Sequence, residues 1–130
     1  MKSKIYITGA AGFIGFHTAK KFLDKGIKVH GFDPINDYYD VNLKRSRLNN
    51  LKRYKNFSFT KGLLEKHKLL NQSVLKFKPK IIIHLAQQGQ TLYSIAKLYD
   101  LSLPELYSMN HHLKTDSINI NQHLVVGLID

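Results

Sequence analysis

A chain of 130 residues has room for one ordinary domain or two very small ones, and 43% hydrophobic residues are enough to build a core. The absence of cysteine excludes disulfides and thiolate zinc sites. The net charge of +11 is unevenly held, because residues 1–80 carry 18 Lys/Arg against 5 Asp/Glu whereas residues 81–130 carry 2 against 4.

The sharp change near Lys80 suggests two segments of different origin. Nucleic acid is not the expected partner: the lysines are scattered and the aromatics form no stacking platform. No run is long enough to span a membrane. Met1-Lys2-Ser3-Lys4 and the apolar stretch to Phe16 superficially suggest a signal peptide, but three glycines interrupt that stretch. A cytoplasmic location is expected.

Lys4-Ile5-Tyr6-Ile7 is short, apolar and rich in strand formers, so it predicts a buried strand. Gly9, Gly12 and Gly15 follow, and then Phe13, Ile14, Ala19, Phe22 and Leu23 recur near a 3.6 period. This spacing predicts a helix that stops at Gly26. Ile27 to Phe32 is a second strand, with Asp33 at its end.

Each residue type has a mechanical reason. Gly9 permits the tight turn, Gly12 lets backbone approach phosphates, and Gly15 lets helix pack on strand. The N–H groups around Gly12, Phe13 and Ile14 suit a pyrophosphate. Asp33, 18 residues beyond Gly15, suits the adenosine ribose hydroxyls and repels a 2′-phosphate. The expected cofactor is therefore NAD.

Thr8-Gly9-Ala10-Ala11-Gly12-Phe13-Ile14-Gly15, Asp33-Pro34-Ile35-Asn36-Asp37-Tyr38-Tyr39-Asp40-Val41, Leu43-Lys44 and Arg47-Leu48 resemble extended short-chain dehydrogenase/reductases. Within that group they are most similar to nucleotide-sugar epimerases acting on UDP-glucuronate. The resemblance runs to about residue 86, through Phe57-Ser58-Phe59 and Ile81-Ile82-Ile83-His84-Leu85-Ala86. It implies cofactor contacts at Gly9, Gly12, Phe13, Ile14, Gly15, Asp33, Asn36, Leu85 and Ala86. Two positions depart from the family: Pro34 stands where Asn is usual, and Leu63 where an adenine-binding Asp is usual.

The family's chemistry implies a Tyr-x-x-x-Lys pair far downstream of the fourth strand, with the Tyr as general base. Tyr93-Ser94-Ile95-Ala96-Lys97 has the internal spacing but starts seven residues after Ala86. It is read as coincidence, and no catalytic residue is assigned.

From His84 the chain changes character. Thr91 is an expected N-cap for a helix whose apolar face is Leu92, Ile95, Ala96 and Tyr99. Ser102 is expected to cap a second helix, with Pro104 in its first turn and Asn110 at its end. Extended segments at Ile118-Asn119-Ile120 and His123 to Val126 close the pattern.

Residues 83–126 resemble a lysin motif (LysM) domain, which implies binding of N-acetylglucosamine-containing glycans at Gly89, Gln90, Thr91, Met109, Asn110 and Ile118. His111, Asn121 and Gly127 depart from that family's usual Pro, Gly and Pro. The adjacent His111-His112 pair is expected to be solvated, and no metal site is assigned.

The expected fold class is α/β. A truncated, Rossmann-type parallel sheet of about four strands (residues 1–86) is followed by a small βααβ module (residues 87–130). Residues 81–86 are claimed by both halves, and one segment is not expected to satisfy two sheets in full. A half-sheet also leaves an open edge beside its fourth strand, which invites homodimerisation. The functional expectation is an NAD-binding epimerase fragment without its catalytic half. The alternatives are a glycan-binding protein with a vestigial Rossmann segment, and a chimera with neither activity.

Overall fold

The computed structural model describes residues 4–35, 41–64, 67–85, 90–111 and 123–128. The elements, in chain order, are β1 (Lys4–Thr8), α1 (Phe13–Asp24), β2 (Lys28–Asp33), α2 (Val41–Lys52) and β3 (Phe57–Lys61). They continue with α3 (His67–Phe77), β4 (Ile81–Leu85), α4 (Leu92–Leu98), α5 (Leu103–Met109) and β5 (His123–Leu128). The expected strands and three of the five helices fall where periodicity put them. The expected extended segment at 118–120 lies outside the described residues.

The five strands form one sheet in the order β3-β2-β1-β4-β5. The first four run parallel, with α1, α2 and α3 in the connections between them. β5 runs antiparallel to β4, with Leu85 opposite His123 and Ile81 opposite Leu128. The register slips between Ile82 and Ile83, so Val126 is the extra residue of a bulge.

The two faces of the sheet have separate cores. Ile5, Ile7, Val29, Ile83 and Leu85 meet Ala19 and Leu23 of α1 and Leu51 of α2. Tyr6, Phe32 and Ile82 meet Leu70 of α3, Leu92, Ile95 and Ala96 of α4, Leu106 of α5, and Leu124 and Val126 of β5. The alternation along β4 follows from the strand period of two: Ile83 and Leu85 point one way, Ile82 and His84 the other.

One expectation at the seam is corrected, that of an open edge. β4 pairs through Ile81–Ile83 with β1 on one side and through Ile81–Leu85 with β5 on the other. A strand has two hydrogen-bonding edges, and the Rossmann half uses one while the helical half uses the second. For the same reason the edge expected to be open is filled by β5. Edge-to-edge strand pairing of two copies is left with β3 and the outer edge of β5.

Candidate functional site

The site begins where β1 runs into α1. Gly9 has φ +75°, a left-handed conformation that a side chain resists. Its N–H donates to Phe32 O at 2.7 Å, and its carbonyl accepts from Gly12 N at 3.1 Å. Gly15 sits in the first turn of α1, where an added Cβ would lie 2.0 Å from Gly9 O. Only glycine lets the helix come this close to the turn.

Gly12 is the N-cap of α1 and supplies no side-chain cap. The first helical bond runs from Phe16 N to Gly12 O at 2.8 Å. The N–H groups of Phe13, Ile14 and Gly15 therefore have no carbonyl within the helix to bond. α1 also has no acidic residue in its first turn. Three amides and the positive helix end thus converge on one place, which suits a phosphate.

Asp33 closes the site from β2 and is 2% exposed. Its Oδ2 accepts from Ala11 N at 3.1 Å, which ties the glycine turn to β2. Its Oδ1 accepts from Ile35 N at 2.8 Å and from Lys44 Nζ at 3.4 Å. Ile35 is held at φ +50°, a strained conformation for a β-branched residue. A carboxylate has about four lone-pair positions, so Oδ2 can still accept a hydroxyl. The Lys44 bond is the longest of the three and pairs two buried charges.

Lys44 and Arg47 have structural roles beside this turn. Lys44 is buried against Asp33. Arg47 Nη1 reaches Ala11 O at 3.4 Å, and its guanidinium lies 5.6 Å from the centroid of the Phe13 ring. Their i, i+3 spacing on α2 was the available signal, because it puts both on one face of a helix. Phe13 itself is largely exposed. Leu85 is buried beneath the turn, with side-chain atoms 3.6 Å from where a Cβ on Gly9 would be. Leu63 is exposed just past β3. Asn36 and Ala86 lie outside the described residues.

On the other face, His84 is fully buried. Its Nδ1 lies 3.0 Å from Thr8 Oγ1 and 2.8 Å from the Tyr99 hydroxyl, and its Nε2 lies 2.9 Å from Gln90 Oε1. An Nε2–H tautomer fits this set, with Nδ1 as acceptor. Burial lowers His84 to about 4, opposed in part by Gln90, and pushes the Tyr99 hydroxyl up. This network joins β1 and β4 to α4. Its components could not be paired by sequence because Thr8 and His84 are 76 residues apart.

The side chains expected to meet glycan are mostly engaged internally. Thr91 caps α4 in a reciprocal box with Ser94, and Gln90 bonds His84. Asn110 is buried, and Nδ2 donates to Leu106 O at 2.8 Å and Val125 O at 2.7 Å. Its Oδ1 accepts from Val125 N at 2.8 Å, so it braces α5 against β5. Met109 is half-buried, whereas Gly89 and Ile118 lie outside the described residues. Tyr93 stands two-thirds exposed on α4. Among the described residues no cluster of three His, Asp or Glu could hold a metal, and no helix is long and apolar enough to cross a membrane.

Comparison with known proteins gives two family matches that overlap at the seam. Residues 6–99 match GDP-mannose 4,6 dehydratase, and residues 84–127 match the LysM domain. Protein CapI of Staphylococcus aureus is 46% identical over 92 residues, which cover 71% of this chain and 27% of CapI. A probable UDP-glucuronate 4-epimerase of Rhizobium meliloti is 45% identical over 89 residues, 68% of this chain and 26% of that protein. The chain thus spans about a quarter of the length of these curated relatives.

Among solved structures, UDP-glucuronic acid 4-epimerase from Bacillus cereus, in complex with UDP-glucuronic acid and NAD, superposes with a TM-score of 0.55 at 28% identity. That match covers 67% of this chain and 27% of the epimerase. A dTDP-glucose 4,6-dehydratase from Bacillus anthracis, solved with NAD, shares the fold with a TM-score of 0.57 at 23% identity, over 75% of this chain and 29% of that one. Since the first match takes in most of its length, the chain belongs to the GDP-mannose 4,6 dehydratase family of nucleotide-sugar epimerases and dehydratases, and its C-terminal part matches a LysM domain.

Proposed function

We propose that this chain binds NAD at the β1–α1 turn, as the cofactor half of an epimerase-like Rossmann unit. The observation that carries the reading is the geometry of that turn. Amides of Phe13, Ile14 and Gly15 converge with a helix N-terminus, and Asp33 is anchored to Ala11 one strand away. The residues fit the cofactor: the amides would meet the pyrophosphate, and Asp33 would accept from the adenosine ribose. NAD would supply hydride chemistry when bound. The described residues bind and orient it.

We assign no catalytic residue. Tyr93 faces solvent on α4, while Leu92, Ile95 and Ala96 of the same helix are buried in the core. Tyr93 and Lys97 are therefore read as surface residues of the helical module. A cytoplasmic location fits this reading.

A second reading is favoured by the match of residues 84–127 to the LysM domain. In it the C-terminal module binds N-acetylglucosamine-containing glycan, as in peptidoglycan or chitin, and the Rossmann part is vestigial. Calorimetric titration with NAD and, separately, with N-acetylglucosamine oligomers discriminates the two. NAD binding that weakens roughly tenfold or more in Asp33→Asn supports the first reading, since a charged acceptor is lost. No heat from NAD, with heat from the oligomers, would leave only the second.

A further inference from the structure

Among the described residues between 12 and 56, the acids are Asp33, buried beside the glycine turn, and Asp24. Asp24 is met by Lys20 Nζ at 2.9 Å and by the Tyr54 hydroxyl. Lys21, Lys25, Arg45, Lys52, Arg53 and Lys55 are exposed, in or just after α1 and α2, and none has an ion pair among the described residues. The two helices pack on the same face of the sheet, away from α4 and α5. Cations scattered in sequence are thereby gathered on one layer, whose field draws in polyanions.

Charge alone would suit any anion, but the aromatic rings of this layer are more selective. Phe16 and Lys20 of α1, with Asn50, Arg53 and Tyr54 at the end of α2, line a groove of about 500 Å³. A second groove, of about 440 Å³, is lined by Phe13, Ile14, His17, Thr18 and Lys21 of α1. His17 joins the two, since its ring meets Phe13 edge-on at 4.7 Å and Phe16 at 5.1 Å. Phe13 is 59% exposed, and Phe16 and Tyr54 are half-buried in the groove wall. Phe16 and Tyr54 are far apart in sequence and come together because α1 packs on α2. The fold thus builds an aromatic platform that the sequence did not show.

Rings in a cationic groove bind base faces of any sequence, while the cations follow the phosphates. A duplex hides its base faces within the stack, so the strand that fits is unpaired. We infer that the α1–α2 layer is a docking surface for single-stranded nucleic acid, with bases against Phe16 and Tyr54 and phosphates on Lys20, Arg53 and the neighbouring lysines. This uses side chains of α1 and α2 and none of the amides of the turn, so it stands apart from the NAD reading.

Fluorescence anisotropy of a labelled oligothymidylate about sixteen nucleotides long, titrated with the full chain over a range of salt, tests it. Affinity that falls as salt rises is expected, with the same strand annealed to its complement bound about fivefold more weakly. The duplex carries the denser charge, so attraction by charge alone would favour it instead. Phe16→Leu keeps an apolar side chain but removes a stacking face, and is expected to weaken binding about tenfold with the salt dependence unchanged. Arg53→Gln is expected to reduce the slope of log affinity against log salt by about 0.7. No binding at low salt, or a duplex bound as tightly as the single strand, would overturn the inference. So would an unchanged slope in Arg53→Gln, or a Phe16→Leu chain that melts like the parent and binds equally well. If Phe16→Leu fails to fold, the comparison of single strand with duplex on the parent chain still decides.

Discussion

The two halves of this protein use their polar groups in opposite ways. Around the β1–α1 turn, backbone amides are left without helical partners while the glycines and Asp33 hold them in place. In the α4–α5–β5 half, the polar side chains close their own helix ends and brace one element on the next. One half is organised to present unsatisfied donors, and the other to satisfy its own. The contrast teaches that donors presented by backbone are fixed by the fold alone, whereas polar side chains can be drawn into internal bonds.

The largest effect is expected from Gly15→Ala. A methyl 2.0 Å from Gly9 O cannot be accommodated without moving α1 off the turn. A loss of about 3 kcal/mol of stability, with loss of NAD binding, is expected in denaturant titration. Stability like that of the parent would mean the turn is looser than the structure shows, and the contrast between the halves would blur.

Acid should act on the seam. His84 is held near 4 by burial, below its ordinary value of 6.5. The unfolded chain therefore binds a proton between these values that the folded chain refuses. Stability is fully present above about pH 6.5 and falls as pH drops towards about 4, by roughly 3 kcal/mol. His30, also lowered to about 4 by burial and by Lys76, adds to the slope in the same direction. His84→Asn should reduce the pH dependence of the thermal melt over this range, leaving the part that His30 contributes. An unchanged slope would show that His84 is not held neutral by burial in the folded chain.

Asn110→Ala sharpens the comparison from the other side. It removes a brace of three backbone bonds and leaves Val125 N–H unsatisfied, which is expected to cost about 2 kcal/mol. A glycan contact would instead show as weaker oligomer binding with stability preserved. The smallest effect belongs to Ser102→Ala, which removes the cap that accepts from Glu105 N. About 1 kcal/mol is expected by denaturant titration. A change near zero would mean that α5 is held by the Asn110 brace and by packing of Leu106 rather than by its cap.

Much of this was legible in sequence because it is local. Strand, glycine turn, helix and terminal acid fall within residues 4–33, and Thr91 and Ser102 each stand immediately before the helix they cap. The bond from Asp33 to Ala11 was not legible, although both residues belong to the motif, since nothing in their spacing fixes the carboxylate's direction. α3 was missed although Leu70, Val74 and Phe77 recur at i, i+4 and i+7, on the side that packs into the core. The dual pairing of β4 was hidden for a different reason. Sequence marks which face of a strand is apolar, but it does not mark which of its two edges is taken.

Hydrogen exchange of the full chain with and without saturating NAD tests the central claim most directly. Binding at the turn predicts slowed exchange of the Phe13, Ile14 and Gly15 amides, with the amides of α4 and α5 unchanged. Unaltered exchange at those three amides, or protection confined to residues 91–110, would contradict it.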